Sequence, residues 1–467
     1  MKTYQDLIEL TAETDRQAFI RSLIAEHKAS DLYKEAAVAY EYYRRRNVTI
    51  NNFQKVLYTL SGETKPDLIS ANYRFSNNFF QVFVKQEVSH LLGNGVTFER
   101  DETKDALGGP QFDNQLFRAA LAALWGGVSF MFFNLDRIDV FKVTEFAPLY
   151  DEESGALRAG ARFWQIDSKK PMRVTFYEED GYTEYKYEGG SATVVQPKRA
   201  YVISSQASEA TGLEILEGKN YPAFPIVPLW ANEEKQNELI GIREKIDGYD
   251  LIQSGFANDL DEAAHLYWII TNAGGMDDDD LRKFIERMQT VHAAAIDEDG
   301  STATPHTVEV PYAARQAGLQ ELRDSIYRDA MALDTDKISA GNVTATAIES
   351  SYENLTLKVD AFEMCVTDAI KAILALAGID DNPNYKRSKI INMQEDTQMI
   401  LSAAQYLDDE TILRHLPFLN PDEIDGIIKN KKQEEAERYE DTGMGSNTEG
   451  GAEGTEEQPA GGEPETA

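Results

Sequence analysis

Cysteine is almost absent. The single one, Cys365, falls in a long helical pattern and cannot close an internal disulfide. A reduced compartment is the plain reading, with the thiol serving as a small apolar side chain. Long apolar runs are missing too. No stretch of about 18 apolar residues occurs, so no transmembrane helix is expected. The longest apolar patch, Ala119–Phe133, is broken by Gly126, Gly127 and Ser129. The opening MKTYQDLIELTAETD is acidic and lacks the basic start and apolar centre of a secretion signal. Without secretion, the Asn-x-Thr tripeptides at Asn47, Asn342 and Asn354 are chance matches to the glycosylation pattern. Basic residues are scarce: 46 Lys and Arg face 80 Asp and Glu, a formal charge of -34 over 467 residues. Such a chain repels polyanions on average, which disfavours a nucleic-acid binder built on a basic footprint.

Signatures of chemistry are missing as well. There is no GxxxxGK[ST] phosphate loop, no GxGxxG after a strand, no HExxH, no paired CxxC and no GxSxG elbow. The histidines, His27, His90, His265, His292, His306 and His415, show no ligand spacing. Acidic pairs carry no weight, because so many carboxylates guarantee chance pairs. The run Asp277–Asp280 precedes a predicted helix, where acids match the dipole without any metal. The sequence therefore implies no catalytic residue, no metal and no cofactor, and reads as a non-enzyme.

What is present is helix of unusual length. Between Glu233 and Gly378 three helices are predicted, around a mixed insert and a short polar break. The first, about Glu234–Asp261, carries Leu239, Ile242, Ile246, Tyr249, Ile252, Phe256 and Leu260 at steps of three and four, which share one face. The second, Tyr312–Leu333, carries Leu319, Leu322, Ile326, Ala330 and Leu333. The third, Thr344–Ala377, carries Ile348, Tyr352, Leu355, Val359, Phe362, Val366, Ile370 and Ile373. About 33 residues of helix span about 50 Å, beyond the usual globular length. Two helices joined at one end by a module form an antiparallel pair. The break Asp334–Val343 (DTDKISAGNV) closes the other end, with Gly341 supplying backbone freedom. One chain supplies few partners for three apolar faces. Head-to-tail repetition about an axis would supply the rest, and closes into a ring if the rotation allows.

The remainder reads as α+β. Residues up to Arg46 are helical in pattern and end in Tyr42-Tyr43-Arg44-Arg45-Arg46, the most basic spot in the chain. This cluster is either a solvated helix end suited to the dipole or an inter-subunit or phosphate contact. Asn72–Leu92 is predicted as a helix with an aromatic stripe, Phe75, Phe79, Phe80 and Phe83, closed by Gly93-Asn94-Gly95. Phe112–Trp125 is another, closed by Gly126-Gly127. From Val128 to Leu229 the period changes to two, with strands at Val128–Asn134, Arg137–Glu145, Ala156–Gln165, Met172–Glu178, Tyr182–Tyr187, Ala200–Ser204 and Pro225–Leu229. In the insert, strands are expected at Leu266–Thr271, His292–Ile296 and Thr307–Val310, and a helix at Leu281–Val291. Short helices follow at Ile391–Leu407, Asp409–Leu416 and Pro421–Arg438. Beyond Thr442 the composition is Gly, Glu, Pro and Thr, and a disordered acidic tail is expected.

Several stretches, in this order, carry a resemblance. They are Tyr42-Tyr43 with its basic followers before Ile50-Asn51-Asn52, and Asn72–Val96, ending in Leu91-Leu92-Gly93-Asn94-Gly95-Val96. Phe112–Gly127, Phe146–Ala161 and the pattern Y-D-x-x-x-S-x-x-x-N-D within Asn237–Asp261 follow, and Ser339–Ile348 completes the set. Over roughly Leu32–Glu437 the chain resembles the portal proteins of tailed double-stranded-DNA bacteriophages, in the form common among siphophages. The usual LLGNPV-like end has Gly95 in place of proline here.

The resemblance implies a portal fold with long stem helices, a β-rich wing, a small α/β clip, a helical crown and the disordered acidic tail. Its divisions would be 1–233 for the N-terminal helices and wing, 234–262 for the first stem helix, 263–310 for the clip and 311–333 for the second stem helix. Residues 334–343 would be the tunnel loop, 344–390 the long wing helix, 391–440 the crown and 441–467 the tail. It implies a homo-oligomeric ring, usually of twelve subunits, at one capsid vertex of the virion, assembled in the host cytoplasm. Double-stranded DNA would pass through its channel during packaging and ejection. The implied partners are the terminase large subunit, the scaffolding protein, the major capsid protein and a head–tail adaptor, with no membrane. Asp334, Asp336, Lys337, Ser339, Gly341 and Asn342 would face the DNA. Net acidity suits such a channel, because a wall that repels phosphates lets the polymer slide. The alternative reading is another ring-forming capsid or tail assembly scaffold without a DNA path.

Overall fold

The computed structural model describes residues 2–58, 63–66, 72–207, 214–263, 267–271, 302–306, 312–339 and 345–388. It also describes parts of 277–286 and of 397–433. Residues Met1–Lys389 form one compact unit and Ile390–Ala467 a second. The first unit opens with helices α1 (Tyr4–Ile8), α2 (Glu13–Ala29), α3 (Asp31–Tyr43) and α4 (Val48–Asn52). The Ser30 hydroxyl accepts from the Tyr33 amide at the start of α3, and Asn47 accepts from Thr49 and Ile50 at the start of α4. The hairpin β1 (Val56–Tyr58) and β2 (Thr64–Pro66) follows, then α5 (Phe79–Leu92), β3 (Val96–Phe98), α6 (Asp101–Ala106) and α7 (Pro110–Gly126). Helix α7 begins on proline, whose missing N–H is not needed there, and ends on Gly127 in the left-handed region (φ 80°).

The arginine cluster is the end of α3. The Arg46 amide donates to the Glu41 carbonyl (2.8 Å) and the Arg45 amide to the Tyr42 carbonyl (2.9 Å). This is a Schellman turn, with Arg45 at the left-handed position (φ 63°) that glycine ordinarily takes. Arg45 Nε donates to Gln81 Oε1 (2.8 Å), and Arg44 and Arg46 lie 3.5 and 3.7 Å from Glu41.

The strand-rich part contains β4 (Val128–Asn134), β5 (Arg137–Lys142), β6 (Phe146–Tyr150), β7 (Leu157–Trp164), β8 (Met172–Glu178), β9 (Gly181–Glu188) and β10 (Ser191–Arg199). It is completed by β11 (Val202–Ala207), β12 (Glu214–Lys219) and β13 (Ile226–Trp230). β6 to β10 form a five-stranded antiparallel meander, and β13-β4-β5 a separate antiparallel sheet. Helix α2 covers the meander: Phe19, Ile20, Leu23 and Ile24 are buried with Ala147, Phe163, Val174, Phe176 and Tyr185. The larger core lies around α5, α7 and β4. There Val84, Val88 and Leu91 join Leu116, Ala119, Phe130 and Met131.

Helix α8 (Arg243–Ala263) leads to the strand pair β14 (Tyr267–Thr271) and β15 (Thr302–His306). After these come α9 (Tyr312–Asp329), the short α10 (Thr335–Ser339) and α11 (Ala345–Ala377). The unit closes with β16 (Pro383–Tyr385), which pairs with β3. Tyr352, Leu355, Val359, Phe362, Val366, Ile370 and Ile373 of α11 are all buried, as their spacing predicts. In the second unit α12 (Asp409–His415) starts on Asp408, whose carboxylate accepts from the Thr411 amide. The expected acidic tail lies outside the described residues.

Several expected boundaries move. The helix predicted from Glu234 begins at Arg243, because Gly241 is left-handed (φ 88°) and interrupts it. Leu239 and Ile242 still reach the core, from turns. The helix predicted to Leu333 ends at Asp329, before Met331 turns left-handed (φ 51°). The strand at Thr302–His306 was not marked by the sequence, and the strands expected at His292–Ile296 and Thr307–Val310 lie outside the described residues. The helix predicted from Asn72 begins at Phe79, for a reason that belongs to α8. β6, β10 and β12 are strands that the alternation of the sequence did not mark.

Candidate functional site

Helices α8 and α9 pair antiparallel. Lys245 is ion-paired with Asp329 at one end of the contact, and Arg315 with Asp259 at the other. Between them Gly248 faces Leu322, and Phe256 packs against Tyr312 (5.5 Å between rings). Beyond Ile246 the α8 side chains that are fully buried are polar, Asp250 and Ser254. On α9 the buried apolar residue is Ile326. Leu251, Ile252, Leu260 and Tyr312 stay exposed. The pair is set by directed contacts more than by apolar area.

The break predicted after the pair begins with two acids that point home. Asp334 is buried, and its Oδ1 accepts from Arg323 Nη2 on α9 (2.9 Å). The same guanidinium reaches Asp336 Oδ2 (2.5 Å) and lies over the Tyr327 ring (5.1 Å). Burial works against the Arg323 charge, but Asp334, Tyr327 and Asp336 outweigh it and hold its pKa above the ordinary value. Lys337, the one base of the predicted loop, lies 3.0 Å from Asp324 Oδ1. That hydrogen bond holds the Asp324 carboxyl below its ordinary range. So Asp334, just before α10, and Asp336 and Lys337 on α10 are all held against Arg323 and Asp324 of α9. Ser339 is the last residue of α10. Gly341 and Asn342 lie outside the described residues. Sequence reasoning missed Arg323 and Asp324, since pairing between two helices leaves no fixed spacing. The signal was their charge, opposite in sign to the acids and base of the break.

The other face of α8 explains its Y-D-x-x-x-S-x-x-x-N-D pattern. Residues 72–78 run extended along the helix. The amides of Tyr73, Phe75 and Asn77 donate to Asn258 Oδ1 (2.7 Å), Ser254 Oγ (2.9 Å) and Asp250 Oδ1 (3.3 Å). Four helical residues rise about 6 Å, and two strand residues advance about 6.6 Å. Steps of four on the helix therefore match steps of two on the strand. Asp250 also accepts from Asn77 Nδ2 (2.6 Å) and Asn47 Nδ2 (2.7 Å). Burial raises its pKa, and the asparagine donors oppose the rise. One turn earlier, Asp247 accepts from Tyr42 Oη (2.5 Å) and Thr49 Oγ1 (2.7 Å). The aromatic stripe counted from Phe75 was misread, because the Phe75 amide is already committed to Ser254.

Where the pair enters the core sits a buried ion trio. Lys358 Nζ of α11 lies 2.9 Å from Glu87 Oε2 of α5 and 2.7 Å from Glu238 Oε2 in the turn before α8. Burial pushes the Glu87 carboxyl up to about 7, against the pull of Lys358 and with the push of Glu238. Burial alone would lower Lys358, but the two carboxylates raise it. Among the described residues no group of His, Cys, Asp and Glu could hold a metal, and no helix is long and apolar enough to cross a membrane. What these residues do is hold a helix pair and a chain reversal in fixed directions.

Residues 22–443 match the family described as phage portal protein, SPP1 Gp6-like. The chain is 25% identical over 462 residues to the portal protein of Clostridium phage phiCD119, covering 90% of this chain and 97% of that one. It is 23% identical over 480 residues to the portal protein of Bacillus phage SPP1, covering 93% and 91%. Among solved structures it is similar to a chain in the virion of a native gene transfer agent particle, with 14% identity, 72% and 88% coverage and a TM-score of 0.42.

Proposed function

Because the chain belongs to the SPP1 Gp6-like family of phage portal proteins, we propose that it builds the vertex through which viral DNA enters and leaves the capsid. The observation that carries this is the extent of the match, from residue 22 to residue 443, with whole-length relatives that are portal proteins. Copies of the chain form a ring of twelve around a channel. The pair α8 and α9 is the stem lining it, and 263–310 is the clip that docks the terminase large subunit and later the head–tail adaptor. Residues 334–343 are the tunnel loop that faces DNA, 391–440 are the crown, and the strand-rich part is the wing. Scaffolding protein and major capsid protein meet the ring during assembly in the host cytoplasm. The exposed apolar residues of α8 and α9 support this reading, since a neighbouring subunit would cover them.

The net charge of -34 supports a channel that DNA slides through. Lys337 is offset by Asp324, and Arg323 by Asp334 and Asp336, so the described start of the loop presents few uncompensated cations. Negative-stain imaging of the assembled protein should show a ring with a central hole, and a monomer or filament would refute the assignment. Heads built with Lys337→Ala should package and retain DNA within a few-fold of wild type. A collapse of retention would mean that this base grips the phosphates.

A further inference from the structure

The turn that leads from α9 into the break has a residue with a side chain at its left-handed position. The Ala332 amide donates to the Tyr327 carbonyl (3.0 Å) and the Met331 amide to the Arg328 carbonyl (3.1 Å), another Schellman turn. Its left-handed position is Met331 (φ 51°), a residue with a Cβ and a long side chain where glycine would be relaxed. Two ties from outside compensate. Lys358 Nζ donates to the Ala330 carbonyl (3.3 Å), and Gln86 Nε2 donates to the Leu333 carbonyl (2.9 Å). Gln86 is the neighbour of Glu87 on α5, and Glu87 contacts the same ammonium as Glu238. Glu238 is in turn fixed by its amide bond to the Leu124 carbonyl (2.9 Å) and by Asn232 Nδ2 on its Oε1 (3.2 Å). One ammonium thus touches the turn before α8, the turn after α9, and α5.

We propose that Lys358 is a positioning residue. Balanced between Glu87 and Glu238, it fixes the root of the break at Ala330–Leu333 and so sets the direction in which α10 leaves α9. The consequence for DNA rests on the reading of 334–343 as the tunnel loop; the positioning itself does not.

The trio holds two carboxyls and one cation, so with both acids ionised a net negative charge remains around the buried Glu87. One proton on the pair removes it. The charged groups on the surrounding elements leave Glu87 to Lys358 and Glu238. Lys85 on α5, Arg118 on α7 and Asp360 on α11 are exposed, and Asp329 on α9 is paired with Lys245. His90, one turn along α5, is bonded to the Ser388 carbonyl through Nδ1 and stacked on Tyr352. Since the Glu87 pKa is raised from 4.5 to about 7, its protonated form favours the folded arrangement. That contribution is fully present below 4.5 and is lost as pH rises through about 7.

The test uses the full chain in its assembled form. Amide exchange at 330–339, taken as protection relative to intrinsic rates, is followed across the interval around pH 7. In the wild type, protection should fall as pH rises. Glu87→Gln, which mimics the neutral carboxyl, should keep the low-pH protection throughout. Lys358→Met should speed exchange at 330–339 by at least roughly tenfold, with β7 to β9 unaffected. Unchanged exchange in a folded Lys358→Met protein, or a wild-type pH profile in Glu87→Gln, overturns the proposal. Should Lys358→Met fail to assemble, the pH profile of Glu87→Gln decides alone. DNA retention is read in parallel. If exchange responds as stated and retention does not, the positioning role stands and the tunnel-loop reading falls. If exchange at 330–339 ignores Lys358 while shortening the loop abolishes retention, the loop reading stands and the positioning role falls.

Discussion

Around α5 and α11 the chain is held by apolar burial; along α8 and α9 it is held by directed polar contacts. In the first region Val84, Val88, Val359, Val366 and Ile370 are completely inaccessible, and polar groups enter at the ion trio around Glu87 and at His90. In the second, a helix of 21 residues and one of 18 meet through Lys245–Asp329, Arg315–Asp259 and one aromatic pair. Their opposite side is tied down by Asp250, Ser254 and Asn258. Burial is strong and non-directional, so it makes a body. Hydrogen bonds and ion pairs contribute little net energy each but require specific geometry, so they aim an element that has little to bury against. On the proposed reading of α8 and α9 as a channel lining, the pair would need the second kind of support, because much of its surface would be covered by neighbouring subunits.

The comparison breaks most visibly at Phe362, which is 1% exposed in the middle of α11. Phe362→Ala should cost about 3–5 kcal/mol, because a large apolar side chain is lost and the surrounding helices close the cavity only in part. Urea denaturation of the assembled protein measures it. A cost near that of a surface substitution would mean that the α5–α11 region is not the rigid body claimed.

Legibility in the sequence follows the same division. The stripe of α11 was readable from spacing alone, because apolar burial is what periodicity reports. The strands β4, β5, β7, β8, β9, β11 and β13 were readable for the same reason, as alternation. Where polar contacts decide, the sequence misled. Phe75 fits the helical steps of Phe79 and Phe83, yet it sits outside α5 because Ser254, 179 positions later, holds its amide. Spacing within α5 cannot register a partner that distant. The pattern of Asp250, Ser254 and Asn258 was visible as a family resemblance, while its cause, a strand laid along a helix, needed the fold. The sequence did not single out Glu87; only the structure brings Lys358 and Glu238 to it. Asp334, Asp336 and Lys337 were grouped from the sequence as part of one polar break; the short helix over Thr335–Ser339 and the ion pairs that fold these residues back on α9 were not legible.

The ladder on α8 should show an intermediate effect. Asp250→Ala strands the Asn47 and Asn77 donors that the carboxylate now satisfies, a loss of about 1–3 kcal/mol. Limited proteolysis should then cut within 72–78 faster than in wild type. Asp250→Asn retains one acceptor oxygen and should lose less. Equal stability and unchanged cleavage in Asp250→Ala would make the ladder incidental.

The smallest effect is expected at the far end of the helix pair, where Arg315 meets Asp259 and lies over the Phe256 ring (5.9 Å). Both partners are partly exposed, so water and salt weaken the attraction while two long side chains lose rotamer freedom. A double-mutant cycle of Arg315→Ala and Asp259→Ala should give a coupling of about 0.2–1 kcal/mol. The coupling should shrink as salt is raised, because the screening length falls from about 10 Å at 0.1 M to about 3 Å at 1 M. The packing of Arg315 on Phe256 is not screened in this way and should survive as the residual cost of Arg315→Ala alone. A coupling that is insensitive to salt and as large as the Phe362 effect would place this contact with the buried core. The contrast between a body held by burial and a helix pair aimed by polar contacts would then fail at its thinnest point.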